Sequence, residues 1–105
     1  MIDDYIDDGE LIRKAEAKRR WRDQIMLAFD EQCAYCFTPL TKATATLDHV
    51  QPKAKGGQTV RHNLVACCLR CNREKAHQDW RVWYAAQPFY SVSQEAIIMD
   101  WLNSW

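Results

Sequence analysis

Asp48 and His49 stand side by side in a segment whose other polar residues could complete the hydrolysis of a phosphodiester. That reaction needs an oxygen ligand for a hard cation, a base for water, a group that orients the base, and donors for the phosphate. Asp48 can be the first, His49 the second and Asn63 the third, while Lys53, Lys55, Arg61, Arg73 and Lys75 are candidates for the fourth. Asn72 can lend its side-chain oxygen as a second ligand to the cation. Around this set stand Cys33, Cys36, Cys68 and Cys71, two Cys-x-x-Cys turns that can each present two sulfurs to one ion. Four thiolates at about 2.3 Å close a tetrahedral shell with no open position, so the expected ion is a structural zinc. It can contribute folding energy but not hydrolysis.

Five cysteines suit a four-thiolate site with one spare better than a disulfide framework. The spare, Cys67, is expected as a small packed side chain, and a reducing compartment follows. At 105 residues the chain fits one domain with a modest core, which a metal staple would strengthen. Net charge is zero, which argues against a polycation. The charge is nonetheless uneven, because residues 42–81 hold eight Lys or Arg against three acids, whereas Asp3, Asp4, Asp7, Asp8 and Glu10 crowd the start. If the protein touches nucleic acid, the middle segment is where contact is expected, and basic side chains there also offset the charge of about −2 on a zinc tetrathiolate. No apolar run approaches the roughly 20 residues that span a bilayer, and the acidic start is unlike a signal peptide, so a cytoplasmic location is expected.

The elements that must position these residues can be read in order. Residues 1–9 are expected as a loose acidic start. Residues 10–31 contain no Pro or Gly and predict one long helix, wet at first and later docked through Trp21, Ile25, Ala28 and Phe29. Its charge run, Arg13, Lys14, Lys18, Arg19, Arg20 and Arg22, fits a solvated face or a phosphate-facing one. The first cysteine turn follows. Residues 44–50, rich in β-branched types, predict a strand, Pro52 closes it, and Gly56-Gly57 turns the chain into a second extended stretch over residues 58–66. Simple alternation along that first strand would point Asp48 and His49 to opposite faces. After the second cysteine turn a helix is expected from Asn72 to about residue 86, with Ala76, Trp80, Trp83 and Tyr84 on one face. A last helix begins at Ser91, where Ser91-Val92-Ser93-Gln94 fits a capping box and Ile97, Ile98, Trp101, Leu102 and Trp105 make an apolar stripe. The tryptophans at helical spacing are expected in packing contacts, with base stacking the alternative. His62 reads as a polar loop residue and His77 as surface.

The succession Cys-x-x-Cys, LDHVQPKAKGG, HNL and CCLRCNREK over residues 33–75 resembles that of HNH endonucleases. The resemblance implies an α+β fold with a ββα-metal motif, stapled here by the four-cysteine zinc site and flanked by N- and C-terminal helices. One domain would comprise an N-terminal helix over residues 1–32, the zinc-bracketed core over residues 33–87 and a packing helix over residues 88–105. It further implies that His49 is the general base, that Asp48 and Asn72 hold a catalytic divalent ion, and that Asn63 keeps the ring and its hairpin oriented. The products would carry a 3′-hydroxyl and a 5′-phosphate. Asn72 stands where many members have His, and its harder amide oxygen favours Mg²⁺ or Mn²⁺. Phe37 stands where many have Gly, so a change in that turn is expected. The expected function is a DNA endonuclease of low sequence specificity, nicking or cutting both strands, as a monomer or a dimer. A freestanding enzyme, such as a phage-encoded one, could be this small. The alternatives are a non-catalytic zinc module that binds nucleic acid or protein, and a partner subunit that docks through its aromatic C-terminal helix.

Overall fold

The computed structural model describes residues 4–7 and 10–104. β1 (Asp4–Asp7) and β2 (Glu10–Arg13) pair antiparallel, with Tyr5 opposite Ile12 and Ile6 opposite Leu11. Over residues 4–7 this replaces the expected loose start, of which residues 1–3, 8 and 9 lie outside the described residues, and it shortens the expected long helix by its first turn. Tyr5, Ile6 and Ile12 are aromatic or β-branched, and their pairing outweighs the absence of helix breakers over residues 10–13.

α1 (Lys14–Ala28) buries Ala17, Trp21, Ile25 and, just beyond its end, Phe29. The four are spaced at i, i+4, i+8 and i+12, Met26 widens the buried face beside them, and Ala28, expected on it, is exposed. β3 (Thr46–His49) and β4 (Leu64–Cys67) form the central antiparallel pair, with Thr46 opposite Cys67 and His49 opposite Leu64. The expected strand at residues 44–50 is thus trimmed at both ends. Thr59 and Val60, expected in the second extended stretch, precede β4 and lie outside any strand. All four residues of β4 are buried, under α1 on one side and the other core residues around it.

α2 (Leu69–Lys75) starts earlier than expected, capped by the Cys68 sulfur, which accepts from the Cys71 N–H at 3.4 Å. It ends at Ala76, whose φ of +48° breaks the helix. α3 (Trp80–Ala85) restarts under an Asp79 cap that accepts from the Arg81 and Val82 N–H groups. The single helix expected from Asn72 to residue 86 is therefore two, because Asp79 satisfies a new helix start better than it would continue an old one. Ala76 is exposed, while Trp80, Trp83 and Tyr84 are buried as expected.

α4 (Val92–Leu102) is capped by Ser91, which accepts from the Gln94 N–H. Only half of the expected capping box forms. Gln94 is buried and donates instead to the Ala34 carbonyl at 2.7 Å, while the Ser91 N–H donates to the Tyr84 hydroxyl. Ile98 is fully buried but Ile97, expected on the same stripe, is exposed. Trp101 donates from Nε1 to the Leu64 carbonyl at 2.8 Å, pinning α4 to the start of β4. Trp105 lies outside the described residues.

Candidate active site and metal centre

The two Cys-x-x-Cys turns meet because β4 connects them. The Ala34 N–H donates to the Ala66 carbonyl at 2.8 Å, and the Cys33 N–H donates to Thr38, closing the first turn against the strand that leads into the second. Sγ atoms of Cys33, Cys36, Cys68 and Cys71 all lie within 4.8 Å of one another, and no disulfide joins them. Cys36 and Cys68 sulfurs are 3.8 Å apart, which is the tetrahedron edge expected for Zn–S bonds of about 2.3 Å. The Cys71 thiol donates to Cys33, and that contact, together with backbone donors, holds Cys33 at about 5 against the opposing effect of burial. A thiolate thus already has its donors in place for an ion. Phe37 adopts φ +67°, so the turn keeps the left-handed conformation that glycine would favour, now with a half-exposed ring. Cys67 is buried outside the cluster, and burial pushes its thiol up.

Alternation along β3 holds to its last residue. Asp48 points inward and is 4% exposed, and its carboxylate accepts from the Tyr35 hydroxyl at 2.9 Å and from Lys75 Nζ at 3.2–3.3 Å. Lys75 was expected at a phosphate or in solvent. It is instead wholly buried, donating also to the His49 carbonyl at 3.3 Å, and its ammonium faces Asp48 from the end of α2. Burial pushes the Asp48 carboxyl up, more than Lys75 and Tyr35 pull it down.

His49 points the other way and is partly exposed. Its Nε2 lies 2.9 Å from the Thr59 hydroxyl oxygen. Partial burial, then the ammonium charges of Lys53, Lys18 and Lys75, push the imidazole below its ordinary range. The ring is therefore neutral over a wider pH range, the state a base requires.

Asn63 does not touch the His49 ring. Its Oδ1 accepts from the Gln51 N–H at 2.9 Å, and its Nδ2 donates to the Gln51 and Gln58 carbonyls at 3.1 and 2.8 Å. It thereby clamps both ends of the loop between β3 and β4. Gly57 makes that loop possible, since a Cβ there would sit 1.7 Å from the Gln51 oxygen. Asn72 donates from Nδ2 to Thr46 at 3.0 Å, and that hydroxyl donates in turn to the Cys67 carbonyl. The amide oxygen of Asn72 is left for another partner.

A cleft of about 220 Å³ gathers Asp48, His49, Lys53, Asn72, Ala76 and His77. Three of the four candidate catalytic residues and one candidate phosphate donor thus share one opening. Arg61 is tied to Gln24 of α1, and Lys55 and Arg73 are exposed outside the cleft. His77 is exposed as expected, but at the cleft's edge. Three positions that meet the candidate residues escaped sequence reasoning: Tyr35, Thr46 and Thr59. Hydroxyls occur in every loop, and nothing in their spacing marks which one will meet a carboxylate, an amide or an imidazole.

Residues 33–79 match the family model described as HNH endonuclease. Residues 33–79 belong to the HNH endonuclease family. The chain is similar to the CRISPR-associated endonuclease Cas9 of Corynebacterium diphtheriae, 42% identical over 79 residues, covering 73% of this chain and 7% of that protein. It is also 46% identical over 52 residues to the CRISPR-associated endonuclease Cas9 of Actinomyces naeslundii, covering 49% of this chain and 5% of that one. The crystal structure of the Type II-C Cas9 enzyme from Actinomyces naeslundii superposes with a TM-score of 0.64 at 26% identity, over 79% of this chain and 11% of that chain. The chain therefore spans a small part of the length of these relatives, and its fold is similar to part of that crystal structure. Among the described residues no helix is long and apolar enough to cross a membrane.

Proposed function

We propose that this chain is a divalent-metal-dependent HNH endonuclease that hydrolyses phosphodiester bonds in DNA, with zinc as its structural ion. The observation that carries this reading is the shared cleft in which a partly exposed His49, its imidazole pushed below its ordinary range by partial burial and nearby ammonium charges, opens beside Asp48, Asn72 and Lys53. Cys33, Cys36, Cys68 and Cys71 would hold the zinc, which fixes β4 and the start of α2. Asp48 and Asn72 offer the two oxygen donors a hard ion prefers, and Mg²⁺ or Mn²⁺ there would neutralise charge on the phosphate and its leaving oxygen.

The chain's own groups account for the rest. His49 takes the proton from water, whose oxygen attacks phosphorus, and the bond to the 3′ oxygen breaks to leave a 3′-hydroxyl and a 5′-phosphate. Lys53 at the cleft wall can hold a phosphate oxygen, and exposed Lys55 and Arg73 can extend that contact along the strand. For Asp48 to serve as a ligand, the ion must compete with the Lys75 ammonium already on that carboxylate. One site cuts one strand per visit, so nicking is the expected elementary event, with little sequence preference in the absence of a recognition helix among the described residues.

The test is conversion of supercoiled plasmid by the zinc-loaded chain with Mg²⁺, with Mn²⁺ and with chelator, beside a zinc-loaded His49→Ala variant. Metal-dependent nicking that His49→Ala loses supports the reading. The buried Asp48–Lys75 pair favours a second reading, a zinc module that binds nucleic acid without cutting it. DNA binding by the folded wild type without cleavage under any of these conditions would favour that module.

A further inference from the structure

We infer that Thr59 is a positioning residue that selects the tautomer of His49, holding Nε2–H so that Nδ1 is the bare nitrogen facing the cleft. The inference rests on the base reading above and deepens it. β3 delivers the imidazole and the β3–β4 loop delivers Thr59 ten residues later, with Nε2 and Oγ1 2.9 Å apart. That separation is a full hydrogen bond, and it leaves one ring nitrogen for water.

A neutral imidazole carries one N–H and one lone pair, and a threonine hydroxyl can meet either. If Thr59 donated to Nε2, the proton would sit on Nδ1 and the ring would have no acceptor to offer water. With Nε2–H donating to Thr59, Nδ1 accepts the proton that water gives up, and the imidazolium keeps its bond to Oγ1. The water oxygen meanwhile bonds phosphorus, and the departing 3′ oxygen takes a proton from solvent.

The loop is built to hold Thr59 in place. Asn63 grips the carbonyl of Gln58, the residue immediately before Thr59, and both the N–H and carbonyl of Gln51, two residues beyond His49. Asn63 therefore acts on the base at one remove, through the loop, and Thr59 makes the direct contact with the ring.

The experiment uses the zinc-loaded chain with ¹⁵N-labelled histidine. Long-range ¹H–¹⁵N spectra at about pH 8, where an unperturbed imidazole is neutral, read which His49 nitrogen carries the proton, with His49→Ala giving the assignment. Single-turnover nicking is measured in parallel for Thr59→Val and Thr59→Ser. The expected result is the Nε2–H tautomer in wild type, a mixed population in Thr59→Val with a rate loss on the order of 10- to 100-fold, and recovery of both readouts in Thr59→Ser. An Nδ1–H tautomer in wild type overturns the inference. So does a Thr59→Val variant that keeps both tautomer and rate. Should Thr59→Val lose its zinc, the wild-type spectrum and Thr59→Ser still decide. If His49→Ala cuts as fast as wild type, the base reading fails, while the spectrum still rules on Thr59.

Discussion

Replacing Lys75 by methionine should be among the most destabilising single changes in this domain, and the deficit should depend on pH. The substitution keeps most of the side chain's volume but removes the ammonium that faces the Asp48 carboxylate at 3.2 Å, with Lys75 0% and Asp48 5% side-chain exposed. At that separation the gross attraction is about 5 kcal/mol at an effective dielectric near 20, much of it cancelled by the desolvation of both ions. Truncation is different, since it leaves the carboxylate buried with only the Tyr35 hydroxyl, and the usual cost is about 3–5 kcal/mol. Against a domain stability of about 5–15 kcal/mol, that is a large fraction.

The sign of the pH effect follows from Asp48, whose folded pKa is raised above its unfolded value, burial being the largest cause. A raised carboxyl favours the fold when protonated, so its contribution is greatest below the unfolded value of about 3.9 and declines as pH rises through the folded one. Losing Lys75 lifts that folded value further. The Lys75→Met deficit should therefore be largest near neutrality and shrink as pH falls. Equilibrium urea unfolding of zinc-loaded wild type, Lys75→Met, Asp48→Asn and the double variant, at about pH 7 and about pH 5.5, measures this. The double variant should recover part of the loss, because an amide on Tyr35 carries no stranded charge, and the cycle should show coupling of about 1–3 kcal/mol. A Lys75→Met cost below about 1 kcal/mol, or a double variant no more stable than Lys75→Met, would refute the reasoning.

Two neighbouring glycines should respond to alanine to different extents and for different reasons. At Gly57 the new Cβ would meet backbone atoms of Gln51 and Pro52 at 1.7–2.9 Å, so the β3–β4 loop must move, at a cost above about 2 kcal/mol and with loss of hydrogen-exchange protection at the Gln51 amide. At Gly56, φ is +87° and the Cβ meets nothing, so only left-handed strain of about 1–2 kcal/mol is expected; equal unfolding midpoints for the two variants would contradict this. Removing zinc should cost the near-ultraviolet dichroism of the Tyr35, Trp83 and Tyr84 cluster, which packs beside the first cysteine turn with Tyr35–Trp83 ring centroids 5.1 Å apart. A metal-free chain with an unchanged spectrum and melting temperature would rule out the structural role.

The sequence by itself determined the cysteine quartet, because two sulfurs three residues apart can meet one ion whatever surrounds them. It determined the paired strands around Asp48 and His49 and the helix after the second turn, since β-branched runs and turn residues are local signals. It also determined the resemblance on which the reading of the site rests. Element boundaries were less legible: Ala76 ended one helix and Asp79 capped the next, and Leu11 and Ile12 paired with Ile6 and Tyr5 where helix propensity alone suggested a helix from residue 10. Only the tertiary structure decided which polar groups meet. Lys75 read as one more basic side chain beside a helix, yet packing buries it on Asp48, because α2 ends where β3 delivers that carboxylate inward. Thr59 was invisible for the same reason, as a hydroxyl becomes a partner for His49 only after Asn63 and Gly57 have closed the loop. Spacing along a chain can place ligands on one turn, but a contact between strand and loop, or strand and helix, depends on distances that only the packed core sets.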